Sequence, residues 1–271
     1  MTSHFQSITQ LISEADLSLL MEMARRATDH QQLWDLARDR LSAPSPVSRR
    51  NALKVFRQWY LDGSQPQREP AVLAWHAFPD PQVRREILHI ERCRHLALLD
   101  EFVCAVMYPR LGQGQMSLFG DELYELSSAE IDAFIVECLP DLSNESRRMT
   151  RNKLRQLLVH AGLVQRTGSD FHGTWRYTYY RPTWQAWLYG LYRELEDTGH
   201  RKRAKSYIIE ASRLTRRFLL RPSDVPPLLS EGARRGALEF ENFAGERYAR
   251  LVHEDTAALI RALGNRQTEG K

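Results

Sequence analysis

Residues 143–181 hold the pattern that most narrows what this chain can fold into. Ser143 and Asn144 form a helix-start signal. The segment that follows is basic and amphipathic: Ser146, Arg147, Arg148, Met149, Thr150, Arg151, Asn152, Lys153, Leu154 and Arg155. Leu154, Leu157, Leu158 and Ala161 recur at helical spacing, so one face of the helix is built for burial. Gly162 stops the helix. A short apolar run (Leu163, Val164), a polar turn over 167–173 and an alternating segment with Trp175, Tyr177 and Tyr179 on one face then read as a β-hairpin. Helix, stop and hairpin in this order predict a winged helix. The outer face of its helix is cationic where such helices meet a DNA groove.

Residues 1–110 read as a helical domain. Ser13 with Asp16 opens a helix carrying Leu17, Leu20, Met21 and Ala24, and a second, over 31–41, offers Leu33, Trp34, Ala37 and Leu41. Pro44 and Pro46 break the second helix and suit the start of a third. That third helix carries Ser48, Arg49, Arg50, Asn51 and the apolar set Leu53, Val55, Phe56, Trp59 and Tyr60. Two helices joined by a short turn, with arginines early in the second, predict a helix-turn-helix. After a polar linker over 63–70, residues 81–107 read as one long helix, a central strut.

The Gly- and Gln-rich stretch 108–120 is the expected boundary to a winged-helix domain over 121–200. There Ser127 or Ser128 with Glu130 caps a short helix ahead of the basic one, and 183–196 form a helix after the hairpin. Residues 201–271 make the third expected segment. It consists of a basic helix over 201–220, a break at Pro222, Pro226 and Pro227, a helix ending at Gly236, a hairpin turning at Ala244-Gly245, and a last helix reaching about Leu263. This end reads either as a second winged module or as a hairpin packing on the first. The fold class expected is therefore mostly α, multi-helical, with helix-turn-helix and winged-helix elements.

The net charge is only +4, but the cations are grouped. Arg147, Arg148, Arg151, Lys153 and Arg155 form one group; Arg201, Lys202, Arg203, Lys205, Arg213, Arg216, Arg217 and Arg221 form another. Grouped Lys and Arg favour a polyanionic partner, although each group also reads as a solvated basic face. Arginines in the first turn of a helix oppose its dipole, so Arg49, Arg50, Arg147 and Arg148 gain nothing there unless a phosphate or a nearby acid such as Glu145 joins them. Ser48-Arg49-Arg50 followed by Arg57-Gln58 is echoed by Ser146-Arg147-Arg148 followed by Arg155-Gln156 at the same offset. In the hairpin, Arg166, His172 and Arg176 are candidate backbone or minor-groove contacts. Trp175, Tyr177, Tyr179 and Tyr180 are either base-stacking residues or core.

Chemistry is hard to find. The nine histidines form no H-E-x-x-H motif, and Gly112-Gln113-Gly114 lacks the Lys-Ser/Thr of a phosphate loop. His89, Glu91 and His95 share one helix, but without a further carboxylate that trio reads as structural. No catalytic residue, cofactor or metal is expected. Cys93, Cys104 and Cys138 form no C-x-x-C pair, which points to a reducing cytoplasm. No window has the apolar length of a membrane span and residues 1–10 lack a signal-peptide core, so a soluble cytoplasmic protein is expected.

Between residues 33 and 164 the chain resembles the BrxA family of the bacteriophage-exclusion (BREX) defence systems. The likeness rests on three places. They are the Ser48-Arg49-Arg50 helix ending near Tyr60, the strut with Ile90, Arg94 and the apolar run 98–106, and the segment Leu157-Leu158-Val159-His160-Ala161-Gly162-Leu163. The resemblance implies a non-enzymatic DNA-binding component working beside a methyltransferase and an ATPase. The combined expectation is a protein that contacts double-stranded DNA mainly through its phosphates. A protein–protein adaptor within a defence complex and an RNA-binding module are the open alternatives.

Overall fold

The computed structural model describes residues 8, 10–111, 115–116, 122–123, 125–167, 174–178 and 181–268. They are mostly helical, with two three-stranded antiparallel sheets and a two-stranded ribbon. They divide into two compact units, one built on residues 10–95 with the chain's last helix, the other on residues 96–252.

The first unit contains α1 (Glu14–Arg26), α2 (His30–Ala37), α3 (Pro46–Tyr60), α4 (Pro70–Ala77), α5 (Pro81–His95) and the last helix, Thr256–Thr268, which packs against α4. Local chemistry sets the helix starts. The side chains of Ser13, Asp29 and Ser45 accept hydrogen bonds from the backbone N–H three residues on, and Pro46 occupies the first turn of α3. Leu20, Met21, Leu33, Phe56 and Ile90 are fully buried at the positions the helical spacing marked. The expected strut does not run through. α5 ends at His95, and Leu96 (ψ 86°) turns the chain before α6 (Ala97–Glu101) and a π-helical turn, Phe102–Met107.

The second unit starts at that break. After α6 come the ribbon β1 (Gln115–Met116) and β2 (Glu122–Leu123), then β3 (Glu125–Leu126), α7 (Ser128–Cys138) and α8 (Asn144–His160). β4 (Val164–Thr167), β5 (Thr174–Tyr177) and α9 (Trp184–Asp197) follow. The chain continues with β6 (Lys202–Ala204), α10 (Lys205–Glu210), α11 (Arg213–Arg217), α12 (Val225–Arg234), β7 (Leu238–Phe243) and β8 (Glu246–Leu251). The expected boundary at 108–120 therefore lies inside this unit. The reason is packing: the Phe102 ring meets Phe134 at 5.1 Å, and Asp100 holds Arg213 and Arg217. The third expected segment is likewise divided, because residues 202–251 stay with this unit while the last helix joins the other.

The single basic helix expected over 201–220 is a strand and two short helices. Residues 202–204 pair with β8, α10 ends at Glu210, and the Ser212 side chain caps α11 by accepting from the Leu214 N–H. β6 thereby adds a third strand to the expected β7–β8 hairpin, giving the order β6-β8-β7. The β4–β5 hairpin gains β3 in the same manner, giving β3-β5-β4. Two stretches of this unit thus share one plan: a short strand, helices, then a hairpin whose second strand lies in the middle of the sheet.

In both stretches the helix before the hairpin ends alike. Gly162 (φ 75°) and Gly236 (φ 65°) take the left-handed conformation, and the next residue's N–H bonds back to Leu158 and Gly232 respectively. Ala244 (φ 50°) and Gly245 (φ 81°) form the two-residue turn of the second hairpin, which needs positive φ at both positions.

Candidate nucleic-acid interface

α8 is anchored by its buried residues Thr150, Leu154, Leu157 and Leu158. Ser143 caps it by accepting from the Ser146 N–H at 3.2 Å, and Ser127 and Glu130 form a reciprocal capping box at the start of α7. These fixed ends decide which side chains of α8 point away from the module.

The cations of α8 separate into two kinds. Arg147, Arg151 and Arg155, four residues apart, are half-buried and turned back onto the module. Arg147 donates to the Pro140 carbonyl at 2.8 Å, Arg151 pairs with Asp132 of α7, and Arg155 bonds Ser128 with its guanidinium 5.7 Å from the Trp175 ring. Burial lowers the pKa of Arg155 and of Lys153, which is also engaged. Arg148 is different. It is exposed, and among the described residues it makes no hydrogen bond or ion pair. Met149, Asn152 and Gln156 are exposed beside it and equally uncommitted.

The repeated Ser-Arg-Arg sequence marks a shared local device. Ser45 and Ser143 each cap a helix, and each bonds the hydroxyl of the serine three residues on. The first arginine then braces the preceding turn: Arg49 Nε donates to the Ala43 carbonyl at 2.9 Å, as Arg147 does to Pro140. The second arginine, Arg50 or Arg148, is left exposed and unpaired among the described residues. In the first unit Arg50 lines an open groove of about 540 Å³ with His30, Gln31, Trp34, Leu53 and Arg57. Burial, with Arg57 nearby, lowers the pKa of His30.

The hairpin cations are engaged. Arg176 bonds Glu125 across β5 and β3 at 3.1 Å, and Arg166, though exposed, also has a partner. Trp175 is half-buried beneath Arg155, and burial raises the pKa of the Tyr177 phenol, as packed side chains require. His172, Tyr179, Tyr180 and Gly112-Gln113-Gly114 lie outside the described residues.

Most of the second cationic group is engaged within the protein, although only Arg217 of it is buried. Arg217 is buried and bonds Asp100 at 2.6 and 3.2 Å, while Arg213 reaches Asp100 and Glu101 at 2.9 Å. Arg216 lies 5.9 Å from the Tyr108 ring and Arg203 lies 5.0 Å from Tyr207. Lys202 approaches Glu241 at 3.7 Å and the Tyr248 ring at 5.7 Å. Arg201 has a partner as well, whereas Lys205 has none among the described residues. Apart from Lys205, the cations over 201–217 are thus engaged within the protein, while Arg201, Lys202 and Arg213 stay exposed.

One cluster escaped the sequence reading. Asp62, in the loop after α3, joins Glu91 and His95, their ligand atoms within 4.8 Å of one another. It supplies the further carboxylate that the α5 trio lacked, while His89 lies instead beside Cys93, 3.7 Å away. Only folding brings Asp62 there. Arg94 already bridges the two carboxylates, at 2.6 Å from Glu91 and 3.3 Å from Asp62, so a cation entering the cluster must displace a guanidinium. Burial alone would lower the His95 pKa, but its bonds to Asp62 and Glu91 outweigh that and lift it to about 9. The cluster is thus two carboxylates balanced by Arg94 and a protonated His95.

The cysteines are buried and free. Burial and nearby acids push the thiols of Cys104 up to about 12 and of Cys138 up to about 11, leaving neither a thiolate at neutral pH. No described helix is long and apolar enough to cross a membrane. No family model, curated protein or solved structure matches the chain.

Proposed function

We propose that residues 125–177 form a winged helix that binds double-stranded DNA, with α8 laid in the major groove and the β4–β5 hairpin beside it. The observation that carries this reading is α8 itself. It stands between a capped helix and a hairpin, buries its apolar face, and turns outward a stripe of polar side chains flanked by Arg147, Arg151, Lys153 and Arg155. The flanking cations reach phosphates on either side of the groove. Their internal bonds do not prevent this, since surface ion pairs contribute little and exchange readily for a phosphate. The protein is then a non-enzymatic binding component. The resemblance to the BrxA family supplies the setting: a phage-defence assembly that this chain helps to engage DNA.

Fluorescence anisotropy of labelled duplex over a salt series tests the reading, with single-stranded DNA and RNA in parallel. Duplex affinity is expected to fall steeply with salt. The double variant Arg151→Ala, Lys153→Ala should weaken binding on every sequence and lower the salt slope by about two. Unchanged affinity in that variant removes α8 from the interface. An absence of duplex binding at low salt favours the adaptor reading, for which Phe243, 67% exposed at the tip of the second hairpin, is the natural contact.

A further inference from the structure

The outward stripe of α8 has a composition that phosphate binding does not need. Arg148, Met149, Asn152 and Gln156 succeed one another along it at spacings that keep one helix face. All four are exposed and none is committed to a contact among the described residues. Asn is a poor helix former in mid-helix, and Met149, 47% exposed, adds nothing to solubility. Asn152 therefore does not hold its place through helix propensity, and Met149 buries little where it stands.

Their chemistry matches base edges. In the major groove a guanidinium can bond O6 and N7 of guanine together, a carboxamide can bond N6 and N7 of adenine, and an apolar side chain can meet the thymine methyl. We infer that α8 reads sequence: Arg148 a guanine, Asn152 an adenine, Met149 a thymine methyl between or beside them, and Gln156 a further adenine at the far end. This rests on the duplex-binding reading above and adds specificity to it. Four helical residues advance about 6 Å, close to two base-pair steps of about 3.4 Å. The guanine and adenine should therefore lie about two steps apart. The division of labour within α8 supports the assignment. The row Arg147, Arg151 and Arg155 is held by the module, which suits side chains that set register on the backbone, while the reading side chains stay free to form paired bonds. B-form DNA is the occupant, since the deep, narrow major groove of A-form RNA does not admit these side chains.

The test is enrichment of a random duplex library by the full-length protein, followed by anisotropy on the enriched duplex and a scrambled one. The expected result is a site holding guanine and adenine about two steps apart, preferred about five- to a hundredfold. Asn152→Ala should abolish the adenine preference, and Arg148→Ala the guanine preference. In Asn152→Ala the affinity for scrambled duplex and the salt slope should be retained. Equal, salt-sensitive binding to every sequence overturns base reading and leaves duplex binding standing. A preference that both variants keep also overturns it, by placing the reader elsewhere. No duplex binding at any salt overturns both readings together.

Discussion

The stretches 125–177 and 202–251 are built to one plan and differ in how the helix before the hairpin disposes its cations. Each has a strand, helices and a hairpin, with the hairpin's second strand central in the sheet, and each ends the helix before the hairpin at a left-handed glycine. In the first, that helix is α8, which spans Asn144–His160 and keeps Arg148, Asn152 and Gln156 outward and uncommitted. In the second it is α12, where Glu231 takes both neighbouring cations. Arg234 bonds it at 2.7 and 2.5 Å and Arg235 at 2.8 Å. The sheets differ likewise. Arg250 pairs with Glu239 and Glu241 and Lys202 with Glu241, so the second sheet neutralises its own face. α12 also lies close to its surroundings: a Cβ on Gly232 would stand 2.8 Å from both Leu188 and Leu238. Shared connectivity therefore does not imply the same arrangement of charge. The difference lies on the helix before each hairpin: Glu231 stands within reach of both Arg234 and Arg235, whereas Arg148 of α8 has no such acid among the described residues.

That contrast can be broken from the inside. Asp100→Asn removes the carboxylate that holds buried Arg217 and half-exposed Arg213. Breaking a buried pair from one side should cost about 3–5 kcal/mol in urea unfolding. Duplex affinity of the folded fraction should not change. A loss under about 1 kcal/mol would mean that these arginines are not internal supports.

The cluster at His95 extends the test to the other unit. Folding raises the His95 pKa from 6.5 to about 9, so the folded state holds the proton more tightly than the unfolded chain. The resulting stability is complete below pH 6.5 and is lost as pH rises through about 9, on the order of 3 kcal/mol at most. Thermal unfolding between pH 6 and pH 10 should show the decline, and His95→Gln should flatten it. A wild-type curve already flat over that range would remove the charge from His95.

The smallest effect is the most pointed. Arg234 and Arg235 hold the Glu231 carboxyl down to about 2, yet the group is near the surface, so Glu231→Gln should cost less than about 1 kcal/mol. It frees Arg234 at the end of α12, while Arg235 keeps its place 4.4 Å from the Trp184 ring. Low-salt duplex affinity should rise by less than about threefold, with a slope steeper by up to about one. Unchanged affinity would show that shape, not charge, separates α12 from α8.

Much of this was open to inspection in the chain before folding. The caps at Ser13, Ser127 and Ser143, the stop at Gly162 and the Ala244-Gly245 turn all act within a few residues, so spacing and residue type decide them. The same locality made α8 and its apolar face legible. Its outward stripe follows from the same periodicity. The third strands β3 and β6 were not legible, because strands of two or three residues carry too little alternation and take their register from a distant partner.

Local pairs such as Glu231 with Arg234 and Arg235 follow from helical spacing, but the use of cations that pair across the chain belongs to tertiary structure. Arg217 and Asp100 are 117 residues apart, Arg176 and Glu125 are 51 apart, and Arg94 and Asp62 are 32 apart. An arginine in the chain is the same group whether it meets a carboxylate or the solvent. Neighbours along the chain decide the capped starts of α1, α7 and α8, the stop at Gly162 and the apolar faces of these helices, but not the break at His95 or those within 201–220. Folding decided which positive charges remain outward, because only folding sets the distance to the acids that would cancel them.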